Sequence, residues 1–249
     1  MAPRSSFLAA ALVLAGVLAC ANPLSRFSKQ YKCQIPGRQD PATAYQFVER
    51  GMEHVRANQL DCALGACSEA IRLDPKLAAG YLCRSGILNG NEDYAAALKD
   101  INQALRLEPK NGDFYYSRAQ TYERQGKTEL AMEDLTKAIE FITSGFGRSL
   151  AYATRGSLRG KQGQWDQAVQ DYNEAIRIAP EFAYHYEHRG DCYYEKSDYE
   201  RAVADYSDAI RLEPQNKHFY EDRAKVYRKL GNIELANIDE AKSQAPIAQ

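Results

Sequence analysis

The arrangements that mark catalysis are missing from these 249 residues. There is no glycine-rich phosphate loop, no Gly-x-Ser-x-Gly turn, no His-Glu-x-x-His pair and no Cys-x-x-Cys. These absences exclude phosphate-loop nucleotide chemistry, serine hydrolysis at a strained turn, zinc peptidase chemistry and dithiol exchange, and the chain is not expected to be an enzyme. A basic excess is also lacking: 32 Lys and Arg stand against 33 Asp and Glu. Without the first 43 residues the balance is 27 against 32, which lacks the electrostatic footprint of a nucleic-acid binder. Tryptophan occurs once, whereas tyrosine occurs seventeen times, a composition suited to surfaces that are half buried or meant to be covered.

The apolar run from Phe7 to Ala19 is too short to cross a bilayer of ~30 Å as a helix. Preceded by Arg4, it has the length of a signal-peptide core, and residues 1–20 are expected to direct export. Val17-Leu18-Ala19-Cys20 fits a permissive lipobox, with Cys20 as the lipidated residue. Ala19-Cys20-Ala21 also fits an ordinary small-x-small cleavage site, so a soluble exported form is the alternative. Residues 21–43 hold Pro23, Pro36, Gly37 and Pro41 without apolar periodicity, as a flexible tether does. Beyond Cys20 the cysteines are Cys33, Cys62, Cys67, Cys83 and Cys192, an odd number that leaves one thiol over if two bridges form.

The remainder is repetitive. Pro75 and Pro109 lie 34 residues apart, as do Pro180 and Pro214. Placing each proline at position 32 of a 34-residue unit gives repeats 44–77, 78–111, 112–145, 149–182, 183–216 and 217–249, with Phe146, Gly147 and Arg148 in surplus. Other positions recur in the same register. Position 4 is aromatic throughout (Phe47, Tyr81, Tyr115, Tyr152, Tyr186, Tyr220). Position 8 is small (Gly51, Ser85, Ala119, Gly156, Gly190, Ala224), and position 20 is always alanine, from Ala63 to Ala236. Large residues facing small ones, with apolar spacing of three and four, describe packed helical hairpins.

In the fifth unit Tyr186, Arg189, Gly190, Tyr193, Ala202, Tyr206, Ala209 and Pro214 resemble the tetratricopeptide repeat (TPR) signature, and the resemblance extends over residues 44 to about 243. It implies an all-α, right-handed superhelical solenoid of antiparallel helix pairs, with a concave groove lined by the first helix of each unit. The family's best-known groove clamps a carboxylate tail with lysine and asparagine. Here position 5 reads Val48, Leu82, Tyr116, Ala153, Glu187 and Glu221, so that activity is not expected.

Position 7 is arginine in every unit, and position 23 is aspartate in five. The matched recurrence favours scaffold ion pairs over a binding array: Arg84 with Asp100, Arg118 with Asp134, Arg155 with Asp171, Arg189 with Asp205 and Arg223 with Asp239. The sixth unit carries Glu240, Asn232, Asn237 and Ser243, the polar character of a capping repeat. Cys67 and Cys83 fall on helices that should be neighbours and are a candidate disulfide, which leaves Cys33 and Cys62 as the other pair. His185, His188 and Cys192 share one helix face, where they are candidate zinc or copper ligands without a fourth; ordinary packing between units is the competing reading.

Positions 2, 5, 9 and 12 of the first helices face the groove in the family, and they supply the candidate partner-binding residues. The amino-terminal part offers Tyr45, Val48, Met52 and Leu82; the remainder offers Tyr116, Glu123, Tyr184, Glu187, Asp191, Tyr194 and Glu221. Apolar and tyrosine anchors beside carboxylates suit a protein partner presenting a peptide or helix with hydrophobic and basic residues. The surplus residues are expected in a loop, Thr143 to Ser149, which either adjusts the solenoid or exposes Phe146. No cofactor is expected. Together these features read as a non-enzymatic scaffold or adaptor of the cell envelope, as an outer-membrane lipoprotein facing the periplasm. The alternatives are a soluble periplasmic assembly factor or chaperone, and a metal-binding protein.

Overall fold

The computed structural model describes residues 43–244; the expected signal peptide, Cys20 and the tether lie outside the described residues. The described residues form twelve α-helices and no strand. The described residues divide into two compact units, one ending at Ile142 and the other beginning at Thr143. The first holds α1 (Ala44–Arg56), α2 (Leu60–Leu73), α3 (Ala78–Gly90), α4 (Tyr94–Leu107), α5 (Gly112–Arg124) and α6 (Thr128–Phe141). The second holds α7 (Gly145–Lys161), α8 (Trp165–Ile178), α9 (Ala183–Glu195), α10 (Tyr199–Leu212), α11 (Lys217–Lys229) and α12 (Ile233–Gln244).

Local chemistry sets the helix boundaries. Thr43 opens α1 in a capping box, accepting from the Gln46 N–H while the Gln46 side chain accepts from the Thr43 N–H at 2.7 Å. Asp93, Asn111, Ser144, Asp198 and Asn216 cap later helices with side-chain oxygens, satisfying N–H groups that the first turn leaves open. Each hairpin reverses through one residue with positive φ, always at position 15 of its unit: Asn58, Glu92, Gly126, Gly163, Ser197 and Gly231. Between units the chain leaves the helix at position 32, where proline cannot continue it. There the Tyr81, Tyr115 and Tyr220 hydroxyls donate to the carbonyls of Pro75, Pro109 and Pro214 at 3.0–3.2 Å, tying the aromatic of position 4 to the preceding turn.

The core follows the helix contacts. All six position-20 alanines, from Ala63 to Ala236, are fully buried where the two helices of a unit cross. The space left by glycine at position 8 is filled by a large residue at position 24. A Cβ on Gly190 would lie 3.0 Å from the Tyr206 ring, and one on Gly156 would lie 3.2 Å from Tyr172. Size at one position is therefore matched to size at the other.

One expectation is corrected. The surplus residues do not form a loop: α7 begins at Gly145, four residues ahead of the repeat register, and is 17 residues long. Ser144 caps it by accepting from the Gly147 N–H at 3.1 Å. Phe146 is half-buried, with its ring 5.1 Å from that of Phe182, so it packs within its own unit. The capping serine and this apolar contact outweigh the two flanking glycines.

Candidate partner-binding surface

Five arginines at position 7 each grip the aspartate sixteen residues on. Arg84, Arg118, Arg155, Arg189 and Arg223 bond Asp100, Asp134, Asp171, Asp205 and Asp239 through two nitrogens at 2.7–3.1 Å. The aspartates are buried, and the paired fork geometry is one that lysine cannot supply. In four of them the remaining nitrogen reaches back to the preceding helix pair: Arg84 to Ser68, Arg118 to Asn102, Arg189 to Asn173 and Arg223 to Ser207. Sequence reasoning missed this third contact. Its signal was present in the polar run at position 25, namely Ser68, Asn102, Thr136, Asn173 and Ser207. Arg118, Arg155, Arg189 and Arg223 also lie over the tyrosine three residues earlier, as Arg189 lies 5.8 Å from the Tyr186 centroid. They bind the scaffold to itself.

Cys67 and Cys83 are joined by a disulfide with Cα atoms 5.8 Å apart, linking α2 to α3. Both sulfurs are buried against Gly51, and Cys62 is disulfide-bonded as well.

The expected groove residues divide by burial. Val48 and Met52 lie in a core cluster with Phe47, Ala63 and Cys67. Leu82 packs with Ile101 and Phe114, and Tyr116 is 5% exposed. These four are corrected from binding surface to interior: Val48 and Met52 on α1, Leu82 on α3 and Tyr116 on α5 are all buried, Val48 completely. Tyr45 and Glu123 stay half-buried in the same unit.

The second unit keeps an open surface. Tyr184, Glu187, Asp191 and Tyr194 of α9 lie beside α11. Tyr184 is 49% exposed, its edge against Phe219 at 5.6 Å and its hydroxyl 3.3 Å from Asn216 Nδ2. Asp191 accepts the Tyr206 hydroxyl at 2.6 Å, and burial together with that carboxylate pushes the Tyr206 phenol up. Glu221 is exposed, with His218 at 3.5 Å, while Tyr194 stacks near Tyr199 at 5.7 Å. Glu187 is 9% exposed, and burial pushes its carboxyl up to about 7.

His185, His188 and Cys192 do not converge. Among the described residues no group of His, Cys, Asp and Glu is placed to hold a metal ion. His185 is buried against Phe182 at 5.5 Å, and burial holds its imidazole down at about 4. Cys192 is a buried free thiol pushed up to about 12 by burial, packed with Tyr172, Tyr206 and Val226. His188 turns to Asp191 at 3.5 Å and to the Tyr172 ring at 5.9 Å. Residues at i, i+3 and i+7 share a helix face, but that face is divided between two neighbours, and the metal reading falls.

With this geometry in place, a family model described as tetratricopeptide repeat matches residues 89–145, 154–217 and 193–242, more than half of the chain. The chain belongs to the tetratricopeptide repeat family. Solved TPR structures align with it. PilW, titled a widely conserved type IV pilus biogenesis factor, aligns at a TM-score of 0.72 with 20% identity, over 81% of this chain and 92% of that one. PilF of Pseudomonas aeruginosa aligns at 0.72 with 15% identity, over 79% and 88%. YrrB, titled a TPR protein with an unusual peptide-binding site, aligns at 0.54 with 23% identity, over 69% and 87%. At these identities the likeness is one of fold. No curated protein matches the chain. Among the described residues no TPR helix is long and apolar enough to cross a membrane.

Proposed function

We propose that this TPR protein is a non-enzymatic interaction scaffold of the cell envelope that holds a peptide or helix of a partner against the α9–α11 face. The observation that carries the reading is Tyr184, a large ring half exposed on α9, the helix that also carries Glu187 and Asp191, and set against Phe219 of α11, the helix that carries Glu221. An exposed aromatic in an acidic rim is the arrangement expected of an anchor for apolar and basic side chains. Support comes from the neighbours: PilW is a pilus biogenesis factor by its title, and YrrB has a peptide-binding site by its own. The lipobox ending at Cys20 supports placement as an outer-membrane lipoprotein facing the periplasm; the small-x-small reading of the same residues gives a soluble periplasmic form.

Crosslinking of the full chain in envelopes tests the scaffold. Tyr184→Ala combined with Glu221→Lys should lose the crosslinked partner while melting at the wild-type temperature. Equal crosslinking by both proteins would sink the reading. Palmitate labelling of wild type and Cys20→Ala tests the anchor separately, since a wild-type chain that takes no label is the soluble form.

A further inference from the structure

Helix α12 buries small and polar residues and exposes its large apolar ones. Its inward face is Ala236, Asp239 and Ser243, with Asp239 held by Arg223. Among the described residues six large apolar side chains are exposed, and three of them, Ile233, Leu235 and Ile238, lie on this one helix. Leu235 and Ile238 occupy positions 19 and 22 of their unit. The same positions hold Gln167 and Gln170 in α8, and Arg201 and Ala204 in α10, all four exposed. A capping repeat should be polar where it meets water. Aliphatic side chains gathered there mark a surface that something covers.

The charges on this face identify the occupant. Glu234 lies four residues before Ile238 and Lys242 four after it; Leu235 lies three before and Ala241 three after, and all are exposed. Residues three and four apart share a helix face. A second α12 laid antiparallel across Ile238 brings each Glu234 level with the other copy's Lys242. It also brings each Leu235 level with the other copy's Ala241, large against small. Lys242 Nζ rests 5.5 Å from the Tyr220 centroid, a ring that positions the ammonium and supplies no opposite charge. We propose that α12 is covered by a second copy of this chain, in an antiparallel two-fold pair centred on Ile238. Opposite charges at equal distances from one central residue are what an isologous contact requires, and an unrelated partner has no need of them. One helix face is smaller than a standard interface, so the dimer is weak and forms at high concentration. This pairing is independent of the α9–α11 face.

Sedimentation equilibrium of the full chain and its variants tests the pair. Wild type should pass from monomer to dimer at about 10–100 µM, and Ile238→Asp should stay monomeric. Glu234→Lys and Lys242→Glu should each weaken the dimer at least about tenfold, because each sets like charges level with one another twice over. Mixed together, these two variants should pair with each other, and both substitutions in one chain should restore wild-type association. All four proteins should keep the wild-type helical content by circular dichroism, since the substituted positions are exposed. Ile238→Cys supplies a second readout: residue 238 meets its own copy on the two-fold axis, so mild oxidation should give a disulfide-linked dimer, whereas Asn237→Cys should not. A wild type that is monomeric up to about 500 µM overturns the proposal. So does a dimer that survives Ile238→Asp, or one that the charge exchange neither breaks nor restores.

Discussion

Arg189 holds Asp205 with two nitrogens, Nε at 2.8 Å and Nη2 at 2.7 Å, and with the third it reaches Asn173 at 2.6 Å. One guanidinium thus fastens three helices, α9, α10 and α8. Because Arg118 and Asp134 repeat the arrangement with Asn102, the pair is a scaffold joint that recurs with the 34-residue period. The charges are shielded, with 19% of the arginine side chain and 6% of the aspartate exposed.

Removing one member leaves the other buried without a counterion. Arg189→Leu should therefore lower stability by about 3 kcal/mol in denaturant unfolding, in the range measured for broken buried pairs. Replacing both residues, Arg189→Leu with Asp205→Leu, should recover part of that loss, because no buried charge is stranded. An unchanged melting temperature with weakened peptide binding would move Arg189 from the scaffold to the binding surface.

Two glycines in neighbouring units should respond to alanine with opposite signs. A Cβ on Gly51 would sit 2.7 Å from Cys67 Sγ and 2.9 Å from Cys83 Sγ, and sulfurs bonded to each other have no free rotor to move aside. Gly51→Ala should lower stability by about 1–3 kcal/mol, the usual range for overpacking. A Cβ on Gly86, within α3, meets nothing within 4 Å. Gly86→Ala should raise stability by about 0.5–1 kcal/mol through helix propensity alone. Thermal melts of the two oxidised variants decide the matter; a stabilised Gly51→Ala would show that the bridged pair leaves room.

Much of the frame was legible because it repeats. Prolines at position 32 and alanines at position 20 report a backbone turn and a helix crossing, and both are local consequences of residue type. Depth was not legible. Val48 and Glu187 occupy the same position of their units, yet Val48 is wholly buried in a core cluster and Glu187 keeps a strip of surface. The difference lies in the neighbours: Val48 meets Phe47, Met52 and Cys67, whereas Glu187 faces the charged side of α11. A register assigns a direction to a side chain and says nothing of what stands in front of it. The start of α7 escaped for a similar reason, since Gly145 and Gly147 read as loop until Ser144 is seen to cap them.

The hairpin turns yield a prediction from backbone geometry. Glu92 has φ of +63° and Ser197 has +60°, where three of the other units place glycine. A side chain in the left-handed region costs roughly 1–2 kcal/mol, offset in part by the greater freedom glycine has when unfolded. Glu92→Gly should be stabilising by about 0.5 kcal/mol, measured as a raised urea midpoint without a change of slope. A lowered midpoint would mean that the Glu92 side chain contributes more than its backbone strain costs.

His185 supplies the clearest dependence on pH. It is 4% exposed, its Nε2 is buried without a hydrogen-bond partner, and burial, with some repulsion from His188, lowers it from 6.5 to about 4. A base depressed in the folded state is protonated first in the unfolded chain. Its contribution to stability is therefore complete above about pH 6.5 and is lost as pH falls toward 4, by about 2–3 kcal/mol in all. Glu187 works in the opposite sense, because an acid raised to about 7 favours the folded state as pH falls. The wild-type profile blends the two, and only a difference between variants isolates the histidine. The repeat itself supplies the replacement: the same position holds Phe114 in the third unit and Phe219 in the sixth, both buried. His185→Phe removes the unpartnered nitrogen and keeps the ring against Phe182. It should gain about 1–2 kcal/mol at pH 7 from the lost polar atom, and its advantage over wild type should widen steadily between pH 6.5 and 4. Urea unfolding of both proteins across that window measures it, and an advantage that stays constant with pH would mean that His185 reaches solvent when charged.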